Sequence, residues 1–204
     1  MHPNPAFRTA ATEANLTFAR SRGFGMLTLN GPDGPIAAHI PFLISADGTM
    51  IDLHLARSNA IARSTLPAKA LIAVSGPDAY ISPDWYGVPD QVPTWNYVAL
   101  HLRGTLREVP IETLREHADA LSARFEADLL PKKPWNSAKM AEGVMDRMMR
   151  MIIPFRMDIE AVDGTWKLNQ NKEPAVRLAA AKALAAQPSE GAAQALAGLM
   201  RTAE

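Results

Sequence analysis

Aromatic residues are concentrated near the middle of the sequence. Of the chain's 4 Trp and 3 Tyr residues, two of each fall within positions 85–97. They are Trp85, Tyr86, Trp95 and Tyr97, and the run Trp95-Asn96-Tyr97 is the least random stretch of the chain. Rings at this spacing could form a stacking wall for a planar ligand. They are equally typical of a packed strand pair whose amphipathic rings lie near its rim.

A second dense stretch combines amide and ammonium groups close to the end of a predicted strand. It reads Trp166-Lys167-Leu168-Asn169-Gln170-Asn171-Lys172. Such donors could bind an anionic or carbonyl-rich ligand. On composition alone, the pattern is more typical of a strand end that leads into a polar turn.

A third stretch, His54-Leu55-Ala56-Arg57-Ser58-Asn59, joins a predicted strand to a predicted short helix over 58–66. Ser58 or Asn59 could cap that helix. Free amides and the helix dipole at such a junction favour a phosphate group. Arg57 and Ser58 would add side-chain donors, with Arg57 the only basic side chain at the turn. In isolation, the pattern is more typical of a simple helix cap beside a solvated arginine.

The other reactive residue types show no arrangement for catalysis or for metal binding. The 5 His residues lack helical metal spacing with a carboxylate, and the absence of Cys excludes thiolate sites and disulfides. Nucleophile elbows of the Gly-x-Ser-x-Gly type and glycine-rich dinucleotide or Walker loops are missing from the sequence. The sequence therefore predicts no metal site and identifies no catalytic residue.

Length and composition indicate an ordinary globular protein. The chain has 204 residues, of which 48% are hydrophobic and 21% are charged, so it can bury a core of its own. Its 21 basic and 21 acidic residues cancel and form no basic stripe, which argues against binding nucleic acid through phosphates. Residues 1–10 lack a signal-peptide pattern and the apolar runs are too short for a membrane span, so we expect a cytoplasmic protein.

The elements that must position these residues are mostly strands joined by tight turns. The turn clusters Gly31-Pro32-Asp33-Gly34 and Asp47-Gly48 favour an antiparallel meander. Strands are predicted over 24–30, 36–44, 49–55, 69–75, 78–82, 93–109 and 154–168, the last of them turning at Asp163-Gly164. This pattern predicts the α+β class, with a closed or split antiparallel barrel because closure removes sheet edges.

Helices flank the predicted strands. They are expected over 6–22, 58–66, 110–127 and 137–151, and the methionines of the last one are expected to fill the core. The tail, 174–200, is expected to form two alanine-rich helices that are broken at Pro188. A single pair of helices is too short for a solenoid, so the tail is interpreted as an appended helical hairpin.

Taken together, these stretches resemble the PaiB family, known as FMN-binding negative transcriptional regulators. The resemblance covers roughly residues 6–200, in the family's order and spacing. The segments that carry it are His39-Ile40-Pro41, His54-Leu55-Ala56-Arg57-Ser58-Asn59, Gly76-Pro77-Asp78-Ala79-Tyr80-Ile81-Ser82-Pro83-Asp84-Trp85-Tyr86, Val92-Pro93-Thr94-Trp95-Asn96-Tyr97 and Trp166-Lys167-Leu168-Asn169-Gln170-Asn171-Lys172.

The resemblance implies a split barrel similar to that of pyridoxamine-phosphate oxidases. It implies a homodimer with FMN at the interface. Together with the helical pattern of the tail, this predicts a split-barrel domain over 1–172 and a C-terminal helical appendage over 173–204. The strand at His39 would lie along the flavin ring, the turn at Arg57 would hold the phosphate, and the stretch from Trp166 could reach the flavin from the partner subunit. The cofactor-binding residues it implies are His39, Ile40, Pro41, His54, Leu55, Arg57, Ser58, Asn59, Trp95, Asn96, Tyr97, Trp166, Lys167, Gln170 and Asn171.

Three functions follow from this reading. The first is a flavin-dependent redox protein, with an FMN-dependent oxidoreductase as one form of it. The second is a transcriptional regulator, acting indirectly or with DNA; the neutral charge and the lack of a helix-turn-helix signature disfavour direct reading of DNA. The third is a haem-binding split-barrel protein, with His39, His54 and His101 as candidate ligands.

Overall fold

Six strands, with side chains that alternate between buried and exposed, form a closed barrel in the computed structural model of the chain. The strands are β1 Phe24–Gly31, β2 Gly34–Ile44, β3 Met50–Ala56, β4 Ala68–Ile81, β5 Thr94–Glu108 and β6 Ile152–Lys167. Their order around the barrel is β1-β2-β3-β6-β5-β4. The pairs β1–β2, β1–β4, β2–β3 and β3–β6 are antiparallel, which confirms the predicted barrel.

The structure describes residues 1–188 and 191–203. The chain divides into two compact units, which are treated separately below. The barrel unit comprises Leu16–Ala73 and Leu102–Ala161, and the terminal unit comprises Met1–Asn15, Val74–His101 and Val162–Glu204. Because β4, β5 and β6 are long, each begins in one unit and ends in the other.

The barrel core comes from the inward positions of the strands. Leu53 on β3 lies opposite Phe155 on β6, and both are buried. Gly104 on β5 marks the tightest approach between strands, since a Cβ at this position would lie 1.9 Å from the carbonyl oxygen of Asp158. A glycine is therefore required there.

Two predicted strand breaks are absent. Strand β4 is continuous through Gly76 and Pro77, and β6 continues through Asp163-Gly164. Glycine and proline are tolerated at edges and bulges of a sheet, and sequence alone does not identify those positions. At Gly164 a Cβ would lie 2.2 Å from Oδ1 of Asn15, so this glycine serves close packing and not a turn.

The helices are shorter than the sequence predicts. They are α1 Thr12–Arg22, α2 Leu114–Ala127, α3 Val144–Met149, α4 Pro174–Ala185 and α5 Ala192–Thr202. The predicted helix over 58–66 is wrong, because only a single 3-10 turn forms at Ile61–Arg63. Pro67 disfavours a helical residue before it, and polar side chains compete for the backbone: Oδ1 of Asn59 accepts from the Ile61 amide and Ser64 donates to the Ala60 carbonyl.

The methionines predicted to fill the core lie instead at or near the surface. Helix α3 has no buried residue, and the exposed fractions of Met148 and Met151 are 49% and 59%. The helix is one and a half turns long, which leaves it without a continuous apolar face.

In the terminal unit, α4 and α5 pack against each other through small side chains, as the predicted helical hairpin requires. The buried hydrophobic residues are Ala180, Ala181 and Leu184 on α4 and Ala193, Leu196, Ala197 and Met200 on α5. Residues 189, 190 and 204 of the predicted appendage lie outside the described residues, and the boundary at 172/173 stays a prediction. Within the described chain, the structure contains no helix of the length and apolarity that a membrane crossing needs.

The close approach at Gly104 yields a stability prediction. Gly104→Ala should lower the free energy of unfolding by about 3 kcal/mol, because the new methyl group overlaps a backbone oxygen that cannot move without opening the barrel. Gly198→Ala in α5 is the matched control: its Cβ meets nothing within 4 Å, and alanine should stabilise the helix by about 0.5–1 kcal/mol. Denaturant unfolding of both variants measures the difference, and equal stabilities would contradict the close approach.

Candidate functional site

A groove of about 770 Å³ opens on the barrel unit between two loops. One wall is the β1–β2 turn, residues 29–36, and the other belongs to the segment 58–65 that follows β3. Hydroxyl and guanidinium groups from the second wall line it: Ser58, Arg63, Ser64 and Thr65. The volume is within the range of small-molecule sites. We call it the β3-loop groove.

The β3 loop is held in place by backbone bonds and one buried side chain. The Arg57 amide donates to the Met151 carbonyl at 2.9 Å, and the Asn59 amide donates to the Ala56 carbonyl at 2.9 Å. Ile61 is fully buried below the loop. The donors of the groove therefore lie on an anchored turn, although the helix N-terminus that was expected to bind a phosphate is absent.

Arg57 does not line this groove. Its Nε donates to the carbonyl oxygen of Arg150 at 2.6 Å, and it borders a different groove of about 310 Å³ with Ile111 and Met149. The expectation that Arg57 is the only basic side chain at the turn is wrong. Arg63 lies beside it, with its Nε 3.4 Å from the Arg57 carbonyl oxygen.

His54 pairs with a histidine from helix α2. Nδ1 of His54 lies 3.1 Å from Nε2 of His117, so one ring donates to the other. Burial lowers the pKa of both histidines; for His117, burial and the adjacent His54 ring together lower the pKa to about 4. Asp52 and Arg156 form a bidentate pair at 2.6 and 2.9 Å beside them. Asp52, Arg156 and His117 line a small pocket of about 180 Å³.

The β1–β2 face exposes apolar side chains next to His39. Phe24 is 48% exposed, and its ring stacks on the His39 imidazole with ring centres 6.3 Å apart. Met26, exposed on the same face, lies opposite His39 in the register. Ile40 is buried within the barrel, and Pro41 lies opposite Phe24. His39 and Pro41 are thus presented outward, whereas Ile40 belongs to the core.

In the terminal unit, Lys167 joins the two sequence stretches that contain the tryptophans. Its Nζ donates to the carbonyl oxygen of Trp95 at 2.8 Å and to Oγ1 of Thr94. The Trp95 ring is 56% exposed and meets Tyr80 edge to face. Burial, followed by the charge of Lys172, lowers the pKa of Lys167. An exposed ring beside a partly desolvated ammonium group can contact a planar, electron-rich ligand.

The other predicted residues of the terminal unit mostly serve its internal structure. Asn96 is fully buried, and its Nδ2 lies 3.5 Å from the Met200 sulfur. The Trp166 indole donates to Oδ1 of Asn15 at 2.8 Å. Both ends of the Gln170 amide bond to its own turn. Tyr97 is half-buried and Asn171 is exposed.

The structure thus separates the predicted residues into those that face solvent and those that pack inside. His39, Arg57, Ser58, Trp95 and Asn171 are exposed, whereas Ile40, Leu55 and Asn96 are buried; the other predicted residues are intermediate. Sequence reasoning missed the groups of 63–65 and His117. The repeat of Ala-Arg-Ser at 56–58 and 62–64 was a signal for the former. No local signal indicated His117, because its partner is 63 positions away.

Comparisons with known proteins agree with the barrel and its ligand class. Residues 1–161 match the family model described as "Putative FMN-binding domain". "Protease synthase and sporulation protein PAI 2" of Bacillus subtilis (strain 168) is 28% identical over 169 residues, which are 81% of this chain and 80% of that protein.

Solved structures show the same fold at low sequence identity. The conserved hypothetical protein Rv2991 from Mycobacterium tuberculosis aligns with a TM-score of 0.58 and 15% identity, over 84% of this chain and 94% of that one. The FAD and heme binding protein from Mycobacterium smegmatis aligns with a TM-score of 0.56 and 15% identity, over 79% and 73% of the two chains. These similarities support the barrel architecture.

The histidine pair predicts a pH dependence of stability. The folded protein holds His117 neutral, with a pKa of about 4 against a usual 6.5, so only the unfolded chain gains a proton between these values. The contribution to the free energy of unfolding is therefore present above pH 6.5 and falls by up to about 3 kcal/mol as the pH drops toward 4.

Urea unfolding between pH 7.5 and 4 measures this slope. His117→Gln should flatten it, whereas His39→Gln, at an exposed position, controls for the removal of one histidine. Carboxylates held by partners, such as Asp158 beside Arg107, have a lowered pKa and lose their contribution mainly below this window. Equal slopes for the parent and His117→Gln would contradict the assignment.

Proposed function

The chain belongs to the PaiB family of FMN-binding proteins, and from that premise we propose that the β3-loop groove holds the FMN phosphate and that the bound flavin makes this a redox-linked protein. The groove is the observation that supports the phosphate assignment. Three hydroxyl-bearing residues and Arg63 line it on one anchored turn. Charge-assisted hydrogen bonds from such groups suit a phosphate dianion.

Within this proposal Arg57 and Arg63 have different roles. Arg63 lines the groove, while Arg57 bridges its neighbours: its Nε donates to the Arg150 carbonyl and its own carbonyl accepts from Nε of Arg63. Arg57 is then a positioning residue for Arg63. Asn59 acts similarly, since its side chain accepts from the Ile61 amide and shapes the turn.

For the flavin ring we propose the exposed β1–β2 face. Phe24, Met26 and His39 present a flat, largely apolar surface, and aromatic rings bind well to such surfaces by stacking. Ile40 and Leu55 are buried and fix the strands that carry this face. His54 contributes through its pairing with His117 and keeps β3 docked to α2.

When bound, FMN supplies reversible electron or hydride transfer, and the protein supplies placement and exclusion of water. Lys167, whose pKa is lowered by burial, can donate a hydrogen bond to a carbonyl-rich ring. We propose that Trp95, Tyr97, Lys167 and Asn171 contact the flavin of a second protomer, with Trp166, Gln170 and Asn96 holding them in place. Among the described residues that line the β3-loop groove, Asp33 has the one carboxylate, and no pair of a general acid and a general base is present.

A regulatory role is the second candidate. It is favoured by the similarity to a relative whose name refers to protease synthesis and sporulation. The zero net charge disfavours direct contact with DNA. We therefore propose that any regulation is indirect and depends on the bound flavin. We also propose a cytoplasmic location, because a protein without cysteine forms no disulfide that would need an oxidising compartment.

Titration of the apoprotein with FMN and with riboflavin, followed by flavin fluorescence, tests the phosphate site. Arg63→Ala should weaken FMN roughly tenfold to a hundredfold and leave riboflavin, which lacks the phosphate, nearly unchanged. Arg57→Ala should produce a smaller loss of the same selectivity. If Arg63→Ala weakens both ligands equally, or neither, the phosphate lies elsewhere. Failure of the parent to bind FMN at micromolar protein would overturn the proposal as a whole.

A homodimer should form through the exposed β1–β2 face. We expect light scattering of the parent to give twice the mass of the 22.1 kDa chain, because an apolar patch of this kind is normally covered in a C2 interface. Phe24→Glu should favour the monomer and weaken both FMN and riboflavin. Val92→Glu, at an exposed apolar position of the terminal unit, is the matched control. A monomeric parent with full flavin binding would contradict the dimer.

A further inference from the structure

Helix α4 of the terminal unit carries an arginine on its buried face. The buried positions of α4 are Arg177, Ala180, Ala181 and Leu184, which follow the i, i+3, i+4, i+7 pattern of a core-facing stripe. Arg177 is only 9% exposed. Its Nε and Nη1 atoms are sealed from solvent and have no hydrogen-bond partner among the described residues.

This arrangement is costly for the protein alone. A guanidinium group cannot lose its proton in a protein, and a buried charge without a partner is strongly destabilising. Two acidic residues on or beside α4, Glu173 and Asp84, do not neutralise the Arg177 charge. Glu173 lies one helical turn earlier and Asp84 lies on the 3-10 helix that α4 packs against, yet both are exposed and neither pairs with Arg177 in the described structure.

The start of α4 offers further unmade hydrogen bonds. Pro174 occupies the first turn, and Glu173 at the N-cap makes no side-chain bond to the helix amides. The amides of Ala175 and Val176 are therefore uncapped by a side chain. Helical side chains lean toward the N-terminus, so we expect the Arg177 head group near the end of α4 where the dipole is positive.

We propose that Arg177 and the first turn of α4 form an oxyanion site that takes a carboxylate or a phosphate group. A planar oxyanion satisfies Nε and a terminal nitrogen of one guanidinium together, and the amide ends add the contacts that helix N-termini give to anions. Lys172, in the turn that leads into α4, adds positive charge to this part of the chain. Its Nζ lies 4.3 Å from the Tyr86 ring centre and bonds to Gln91.

Two sources could supply such a group: the phosphate of FMN itself, or a separate anionic substrate or effector. The site does not depend on the β3-loop groove and would exist whether or not FMN binds there. The experiment therefore uses the full chain in two forms, stripped of flavin and saturated with FMN.

The first measurement is the melting temperature in sodium phosphate or sodium acetate, with sodium chloride adjusted to constant ionic strength. We expect the melting temperature of the parent to rise with the logarithm of the anion concentration above its Kd, by roughly 5 °C at about 100-fold above the Kd. Arg177→Met should lose this rise. Arg201→Met, an exposed arginine on α5, should keep it, which separates site binding from the general stabilisation that phosphate gives to any protein.

The second measurement does not require a folded Arg177→Met variant. Phosphorus NMR of inorganic phosphate with the parent should show saturable line broadening. Arg177→Lys keeps the charge but loses the bidentate fork, so the phosphate affinity read from this broadening should be at least tenfold lower. Because inorganic phosphate can also enter the β3-loop groove, only the broadening that Arg177→Lys weakens is assigned to α4. Such broadening in the flavin-free form alone identifies the phosphate of FMN as the occupant, and in both forms it identifies a separate anion.

A hydrated arginine without a ligand gives the opposite result. In that case, phosphate and acetate would raise the melting temperature of the parent no more than that of Arg177→Met. Alternatively, the parent would broaden the phosphorus signal no more than Arg177→Lys does. Either outcome overturns the inference. If Arg63→Ala loses flavin binding but keeps the anion response that depends on Arg177, the result bears only on the proposed phosphate site in the β3-loop groove.

Discussion

Closure of the six-strand barrel is the constraint on which the other features depend. A closed ladder leaves no strand edge without a neighbour, so the inward side chains can form one apolar core and the outward ones remain free for ligands and partners. Closure also forces close backbone contacts, as at Gly104, where the Asp158 carbonyl occupies the space of a side chain. The strand ends then determine where the connecting loops can lie.

The phosphate site that we propose in the loop after β3 does not require a helix. Buried Ile61 and the bonds at Asn59 hold the turn whose residues Ser58, Arg63, Ser64 and Thr65 line the groove. Preorganised donors lose little entropy when a phosphate arrives. The 3-10 turn contributes shape, while the side chains contribute charge and hydrogen bonds.

Polar groups inside this protein fall into satisfied and unsatisfied sets. Asp52 and Arg156 form a bidentate pair, and His54 and His117 share one bond, although Nδ1 of His117 is buried without a hydrogen-bond partner among the described residues. Arg177 has no such partner among the described residues. Because satisfied polar pairs stabilise a unique arrangement while an unsatisfied charge costs stability, the two sets point to different roles: the pairs maintain the barrel unit, and Arg177 indicates a ligand.

The sequence by itself determined the strand pattern, the tight turns, the helical tail and the family, because alternation, turn residues and motif spacing are local properties. It failed where a local signal was ambiguous, as at 58–66, where Pro67 and side-chain bonds to the backbone prevent a helix. Only the tertiary structure decided that Ser58 and Arg63 share a groove while Arg57 turns away, that His54 meets His117, and that Arg177 is buried. Those contacts join residues from different elements, and their energies depend on burial, which no local pattern encodes.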